Sequence, residues 1–260
     1  MFSLIPLSSG SKGNATLVRW PQGAALIDCG LTVKELNRRL TEADAALGEI
    51  KAIFITHEHR DHIAGAPALA RTLRCPVFLT HGTARSSEGL WDGVNLQPFY
   101  ALDTLTLPGL KIKTLALPHD AKEPVAYTFE TPCGFKAGYL TDCGTITQPL
   151  IDALQGCRLL ALEANHCPDM LADGPYPQHL KRRVGGPYGH LSNQQAASLL
   201  KHLTPSLEQV CLMHLSEHNN TPTLAHEVIR PVLPAHIKLT IAQQHTITTP
   251  LTATLQITPE

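Results

Sequence analysis

His57-Glu58-His59-Arg60-Asp61-His62 follows directly on the apolar stretch from Lys51 to Thr56, so three imidazoles and a carboxylate leave one strand end within six residues. A Zn²⁺-like ion takes neutral histidine nitrogen and aspartate oxygen at about 2.0–2.2 Å, and a catalytic site leaves a position open for water or substrate. A lone histidine at a strand end reads as a hydrogen-bonded structural residue. The H-x-H-x-D-H spacing after a buried strand instead supplies several ligands of the right type at once, and it points to a metal that activates water.

Outward from this run, the chain alternates strands and helices. Leu4 to Leu7, Ala15 to Trp20 and Ala24 to Ile27 read as successive strands, with the Gly-rich turn Ser8 to Asn14 among them. Thr32 with Glu35 has the form of a capping box and opens an amphipathic helix to about Leu47. Ala52 to Thr56 is the strand that delivers the ligand run, and Ile63 to Leu73 the helix after it. A second set of strands follows over Lys111 to Leu117, Val125 to Glu130, Phe135 to Thr141 and Leu159 to Glu163. Ser192 with Gln195 starts a helix through Leu203, Val210 to Leu215 is a further strand, and Thr221-Pro222 starts a helix to about Arg230. The Thr-rich tail from Lys238 to Ile257 reads as strands. Strands, helix, strands, helix predict an α/β chain of two sheets sandwiched by helices, an αββα four-layer arrangement in one domain over 1–260.

Composition limits the partners. Lys+Arg number 21 and Asp+Glu 22, a formal net charge of -1, so no chain-wide positive field attracts a polyanion. Seven cysteines, Cys29, Cys75, Cys133, Cys143, Cys157, Cys167 and Cys211, lack a C-x-x-C pair, and their odd number fits reduced thiols in a cytoplasm. The first residues carry no basic lead or long apolar region, and no apolar run spans a membrane, so the expectation is a cytoplasmic chain with no membrane partner.

Three more residues stand directly after apolar strand-like stretches: His119, Asp142 and His214. With the first four they make seven ligands, enough for two ions sharing a carboxylate. The set resembles the metallo-β-lactamase superfamily, and the likeness covers nearly the whole chain. It implies that His57, His59 and His119 hold one metal and Asp61, His62 and His214 the other, with Asp142 bridging them. His218 is the rival for the last ligand. Aspartate at the bridge is similar to the glyoxalase II and phosphodiesterase branches. Zn²⁺ is the first choice of divalent ion, and an all N/O site also accepts Mn²⁺ or Fe.

Five blocks resemble the YycJ/WalJ (VicX) group, which is related to ribonuclease Z and ribonuclease J: Ser9 to Asn14, Leu140 to Gly144, Leu162 to His166, Gly189 to Asn193 and His214 to Asn220. The resemblance implies a DNA 5′-to-3′ exonuclease that attacks phosphorus with a metal-bridging hydroxide, taking DNA in preference to RNA. Small-ester hydrolysis (a cyclic phosphodiester, lactone or thioester) and a metal-binding regulatory role are the alternatives. It also implies that His190 delivers a proton, to the leaving 3′ oxygen, beside Asp61 in the reacting set. Asp28 and Glu163 are expected to orient ligand imidazoles through their other nitrogens.

The segment between Asp142 and His214, about 70 residues, is too short for a whole extra domain of typical size. It carries Lys181-Arg182-Arg183 between Gly- and Pro-rich flanks, read as a basic tip on a loop, either a solvated turn or a phosphate contact. Ser11, Asn14, Lys181, Arg182, Arg183, His218 and Asn219 are the expected substrate contacts. Cys143 and Cys167 read as packing residues.

Overall fold

Every residue of the first strand is buried, because its two faces meet two different apolar layers: Phe2 and Leu4 join one cluster, Ile5 and Leu7 another. A strand covered on both sides belongs between a sheet and helices. The computed structural model, which describes residues 1–255, repeats that arrangement throughout.

One sheet contains β1 (Phe2–Ser8), β2 (Ala15–Trp20), β3 (Gly23–Ile27), β4 (Ile50–Phe54), β5 (Val77–Thr80) and β6 (Leu96–Phe99). The other contains β7 (Thr104–Leu107), β8 (Leu110–Ala116), β9 (Val125–Glu130), β10 (Lys136–Leu140), β11 (Leu159–Glu163), β12 (Gln209–Met213) and β13 (Lys238–Ile241). A last strand, β14 (Leu251–Ala253), returns to pair with β1, giving the orders β14-β1-β2-β3-β4-β5-β6 and β13-β12-β11-β10-β9-β8-β7. Nine helices are described: α1 (Val33–Glu42), α2 (Arg60–Ile63), α3 (Ala66–Leu73), α4 (His81–Ser86), α5 (Gln148–Leu154), α6 (Pro168–Asp173), α7 (Gln178–Val184), α8 (Asn193–Leu203) and α9 (Pro222–Ile229). None among the described residues is long and apolar enough to cross a membrane.

The core has three layers. Phe2, Val18, Phe54, Tyr127, Phe129 and Met213 fill the space between the sheets. Leu36, Leu40 and Leu69, from α1 and α3, cover the outer face of the first sheet. Leu150, Leu199, Leu200 and Ile229, from α5, α8 and α9, cover the second. The result is the αββα order expected from the sequence.

Within each sheet an antiparallel half gives way to a parallel one: β3 to β6 run parallel, as do β10 to β13. Strand ends therefore gather at one edge. Asp28 follows β3, the histidine run follows β4, Asp142 follows β10, Glu163 ends β11 and His214 follows β12. Ligands of open parallel sheets bind beyond the carboxyl ends of the strands for this reason.

Several expectations shift in detail. The Thr32 helix stops at Glu42 rather than near Leu47, because Asp44 takes the left-handed backbone (φ 51) that ends it. Thr32 Oγ1 accepts from the Glu35 N–H, but the Glu35 carboxylate turns to Arg38 and Arg39 instead of back to the cap. At α8 both halves of the capping box form: Gln195 N donates to Ser192 Oγ and Ser192 N to Gln195 Oε1. The strands β5 to β7, each four residues long, are too short to show a period in the sequence. Of the expected tail strands, β13 and β14 form, while residues 256 and 257 lie outside the described residues.

The turns after β1 and β3 are clamped onto the ligand run and the helix start behind it by backbone bonds. Cys29 N donates to His62 O (2.7 Å), Gly65 N to Cys29 O (2.7 Å), and Asn14 N to Asp61 O (2.7 Å). A Cβ on Gly30 would sit 1.8 Å from Asp61 O, which no side chain tolerates. Gly30→Ala should therefore lower stability by about 2 kcal/mol or more. Urea unfolding measures it, and a wild-type midpoint would show that the approach is not close.

Candidate functional site

Three residues of the site occupy left-handed backbone immediately past strands: Asp28 (φ 57), Asp142 (φ 55) and His214 (φ 55). Such positions cost about 1 kcal/mol or more for residues other than glycine, least for Asn, Asp and His, and persist where the surroundings enforce them. Here the bend turns each chain across the sheet edge. The single turn of α2 carries Asp61 and His62, and His59 is its N-cap.

The seven expected ligands converge. Donor atoms of His57, His59 and His119 lie within 4.8 Å of one another, and so do those of Asp61, His62 and His214. Between the two sets stands Asp142, with Oδ2 3.3 Å from His62 Nε2 and Oδ1 3.8 Å from His119 Nε2. The His57 Nε2 is buried with no hydrogen-bond partner. An orphaned buried nitrogen is costly in a folded protein, and one beside His59 and His119 is accounted for by a bound cation. The donors, nitrogen and carboxylate oxygen at these spacings, fit a divalent metal.

The opposite side of each ring is fixed. His62 Nδ1 donates to Asp28 Oδ2 (2.7 Å), His119 Nδ1 to Gly189 O (2.9 Å) and His214 Nδ1 to Glu163 Oε1 (3.3 Å), leaving each Nε2 toward the cluster. Asp28 is itself held by the Thr56 N–H and hydroxyl (2.8 and 2.9 Å). Glu163 accepts from the amides of Cys143 (2.9 Å) and Leu191 (3.0 Å) and from His190 Nδ1 (2.8 Å). Such outer partners set ring orientation and basicity.

Charge follows burial and proximity. Burial, with His62, His119 and His59 nearby, pushes the His57 pKa well below its ordinary value, so this ring is neutral. Burial also works against protonated His62 and His214, but Asp142 and the other facing carboxylates outweigh it. The His62 pKa lies well above ordinary, and that of His214 rises to about 10. Burial alone would raise Asp142 and Glu163, yet the facing imidazoles hold both below the carboxylate range.

The expected substrate contacts divide. A cavity of about 350 Å³ opens over the cluster and is lined by Ser11, Arg183 and His190, together with Asp120, Asn165 and Tyr176. Asn14 is buried beneath it, its amide donating to Asp61 Oδ2 (3.1 Å) rather than facing a ligand. His218 lies outside the cluster and is exposed, its ring against Tyr176, whereas His214 is within it. Asn219 is fully buried and bonds to Ser216.

The basic triplet is not a loop tip but part of helix α7, which splits it: Arg183 faces the cavity, while Lys181 and Arg182 line a groove on the other side. Their Gly and Pro flanks bound the helix instead of extending a loop. Asp120 was missed from sequence; it pairs with Arg183 and lies 3.3 Å from His119 Nε2. Its adjacency to His119 was the available signal.

A family profile described as "Beta-lactamase superfamily domain" matches residues 24–215. The chain belongs to the beta-lactamase superfamily. Exodeoxyribonuclease YycJ of Bacillus anthracis is 31% identical over 231 residues, covering 87% of each chain. Exodeoxyribonuclease WalJ of Streptococcus pneumoniae is 32% identical over 227 residues, covering 85% of this chain and 84% of the relative. The metallo-beta-lactamase fold protein YhfI from Bacillus subtilis superposes with a TM-score of 0.73 at 17% identity, over 95% of this chain and 99% of that one. The chain is a metallo-hydrolase of this superfamily, and its His/Asp clusters are able to bind metal.

Protons and metal compete for these nitrogens. In metal-free protein the raised pKa of His214 contributes stability that is full below the ordinary 6.5 and lost as pH rises toward about 10. Metal affinity should run the opposite way, strengthening across that window with proton release. Chelator competition in buffers of different ionisation enthalpy measures both, and an affinity independent of pH would contradict the assignment.

Proposed function

We propose that this chain is a 5′-to-3′ exodeoxyribonuclease that works with two divalent cations, Zn²⁺ first and Mn²⁺ or Fe as substitutes. The observation that carries the reading is Asp142, which stands within reach of both donor sets: Oδ2 lies 3.3 Å from His62 Nε2, and Oδ1 lies 3.8 Å from His119 Nε2 and 3.6 Å from His214 Nδ1. His57, His59 and His119 would hold one ion and Asp61, His62 and His214 the other. Bound there, such ions supply the Lewis acidity that ionises water near neutral pH and neutralises phosphate oxygens. The similarity to the exodeoxyribonucleases YycJ and WalJ supports DNA as the substrate class.

The protein's own residues supply the rest. His190 lines the cavity with Nδ1 committed to Glu163, which leaves Nε2 as the nitrogen free to protonate the leaving 3′ oxygen. Burial works against the charged ring, but Glu163 and Asp142 outweigh it and raise the His190 pKa above its ordinary value, which favours the protonated form that a general acid needs. Arg183 and Ser11 stand at the rim, where they contact phosphate. Asp120 holds Arg183 until a phosphate takes its place. The chain acts as one domain, in a cytoplasm that keeps its cysteines reduced; all seven are unpaired here.

End-labelled single- and double-stranded DNA, with RNA and a thioester as controls and Mn²⁺ or Zn²⁺ added, tests the substrate directly. DNA should shorten from its 5′ end; thioester cleavage with intact DNA would replace this reading by the small-ester one. His190→Ala should lower turnover about 100-fold or more with metal content unchanged, read by elemental analysis. Loss of metal would make His190 a ligand or a fold residue. Asp61→Ala should abolish cleavage together with part of the bound metal.

A further inference from the structure

Helix α7 separates two clefts. Leu180, Arg183 and Val184 face the catalytic cavity; Gln178, Lys181 and Arg182, with Gly185 just past the helix end, face a groove of about 630 Å³ on the other side. No residue of α7 is buried, so it stands as a ridge between them.

The groove is built for an anion. Its lining includes Lys181, Arg182, Gln178 and Gln195 and no carboxylate, whereas the catalytic cavity is lined by Asp61, Asp120 and Asp142. Among the described residues neither Lys181 nor Arg182 pairs with a carboxylate; Lys181 Nζ rests on the carbonyl of Ala172. Ser192 and Gln195 bring the first turn of the eleven-residue helix α8 to the same groove, adding the positive end of its dipole.

His166 is the independent pointer. It is only 4% exposed, its ring lines the groove, and its buried Nδ1 has no hydrogen-bond partner. Its other nitrogen, Nε2, lies beside Gly185 in the groove wall, 3.9 Å from where a Cβ on that glycine would stand. Nδ1 is sealed from the groove, so a ligand there would bond to the ring through Nε2, the nitrogen beside Gly185 at the groove wall. Burial lowers its pKa to about 4, so the ring is neutral and offers one N–H.

We propose that this groove is a second phosphate site, which holds a backbone phosphate of the substrate strand across α7 from the scissile bond. The proposal rests on the nucleic-acid reading above. A helix with its side chains is about 10 Å across, which is about three nucleotides at the 3.4 Å per phosphate of a stacked strand. Affinity should therefore depend on strand length beyond the nucleotide being removed.

The test compares the wild-type metal-loaded enzyme with the Lys181→Glu/Arg182→Glu double variant and with His166→Gln. Anisotropy of a phosphorothioate twelve-nucleotide single strand, which resists cleavage, is read over a range of salt. Digestion of the ordinary twelve-mer, a dinucleotide and bis(p-nitrophenyl) phosphate is measured in parallel. The double variant should bind the twelve-mer about tenfold more weakly with a salt slope smaller by about 0.7, the share of one phosphate contact on a single strand. Its kcat/KM for the twelve-mer relative to bis(p-nitrophenyl) phosphate should fall about tenfold.

His166→Gln should weaken binding severalfold with the slope unchanged. Because Arg182 is exposed, Arg182→Glu alone keeps the test intact if another variant fails to fold. Wild-type affinity and slope in a folded reversal variant overturn the proposal. So does a fall in kcat/KM by the same factor for the twelve-mer and for bis(p-nitrophenyl) phosphate, which would place the effect in the catalytic cavity. Binding of the twelve-mer that depends on Lys181 and Arg182 without shortening of the ordinary strand would instead sink the exonuclease reading and leave the groove standing. A wild-type enzyme that binds no twelve-mer overturns both.

Discussion

The two sets of imidazoles meet at Asp142, and the rest of the structure is arranged to keep that carboxylate buried between them. It is 2% exposed, in a left-handed bend, and faces His62 at 3.3 Å and His119 at 3.8 Å. A buried carboxylate is tolerable only when cations or donors surround it. Without metal, protonated His62 and His214 supply that charge, and bound cations would replace those protons.

Each sheet contributes half of this balance. The first brings Asp28 and the run from His57 to His62; the second brings His119, Asp142, Glu163 and His214. Their relative position is fixed by the apolar layer between the sheets, where Phe54 packs edge-on against Tyr127 with ring centres 5.8 Å apart, and by the Tyr127 hydroxyl, which donates to Ile55 O one residue before Thr56. A change in that layer moves one set of donors against the other. Core packing and metal geometry are thus one constraint, far from the cavity mouth.

Much of this was legible in the sequence because ligands placed at strand ends leave a local mark. The H-x-H-x-D-H run is contiguous, and His119, Asp142 and His214 each follow an apolar stretch. Asp28 and Glu163 could be picked out in the same way. What sequence did not reveal depends on helix phase and on pairs far apart in the chain. Lys181, Arg182 and Arg183 look like one patch until a helix turns Arg183 away from the other two, and Asp120 gains meaning only when Arg183 arrives from 63 residues further on. Asn14, apparently a loop amide, is drawn beneath Asp61 by the close approach at Gly30.

The central claim, that Asp142 is shared by two ions, is met most directly by diffraction from metal-soaked crystals at wavelengths either side of the zinc edge. The account predicts two anomalous peaks about 3.5–4 Å apart, one beside His57, His59 and His119 and one beside Asp61, His62 and His214, with Asp142 between them. A single peak, or peaks that leave Asp142 uncoordinated, would contradict it.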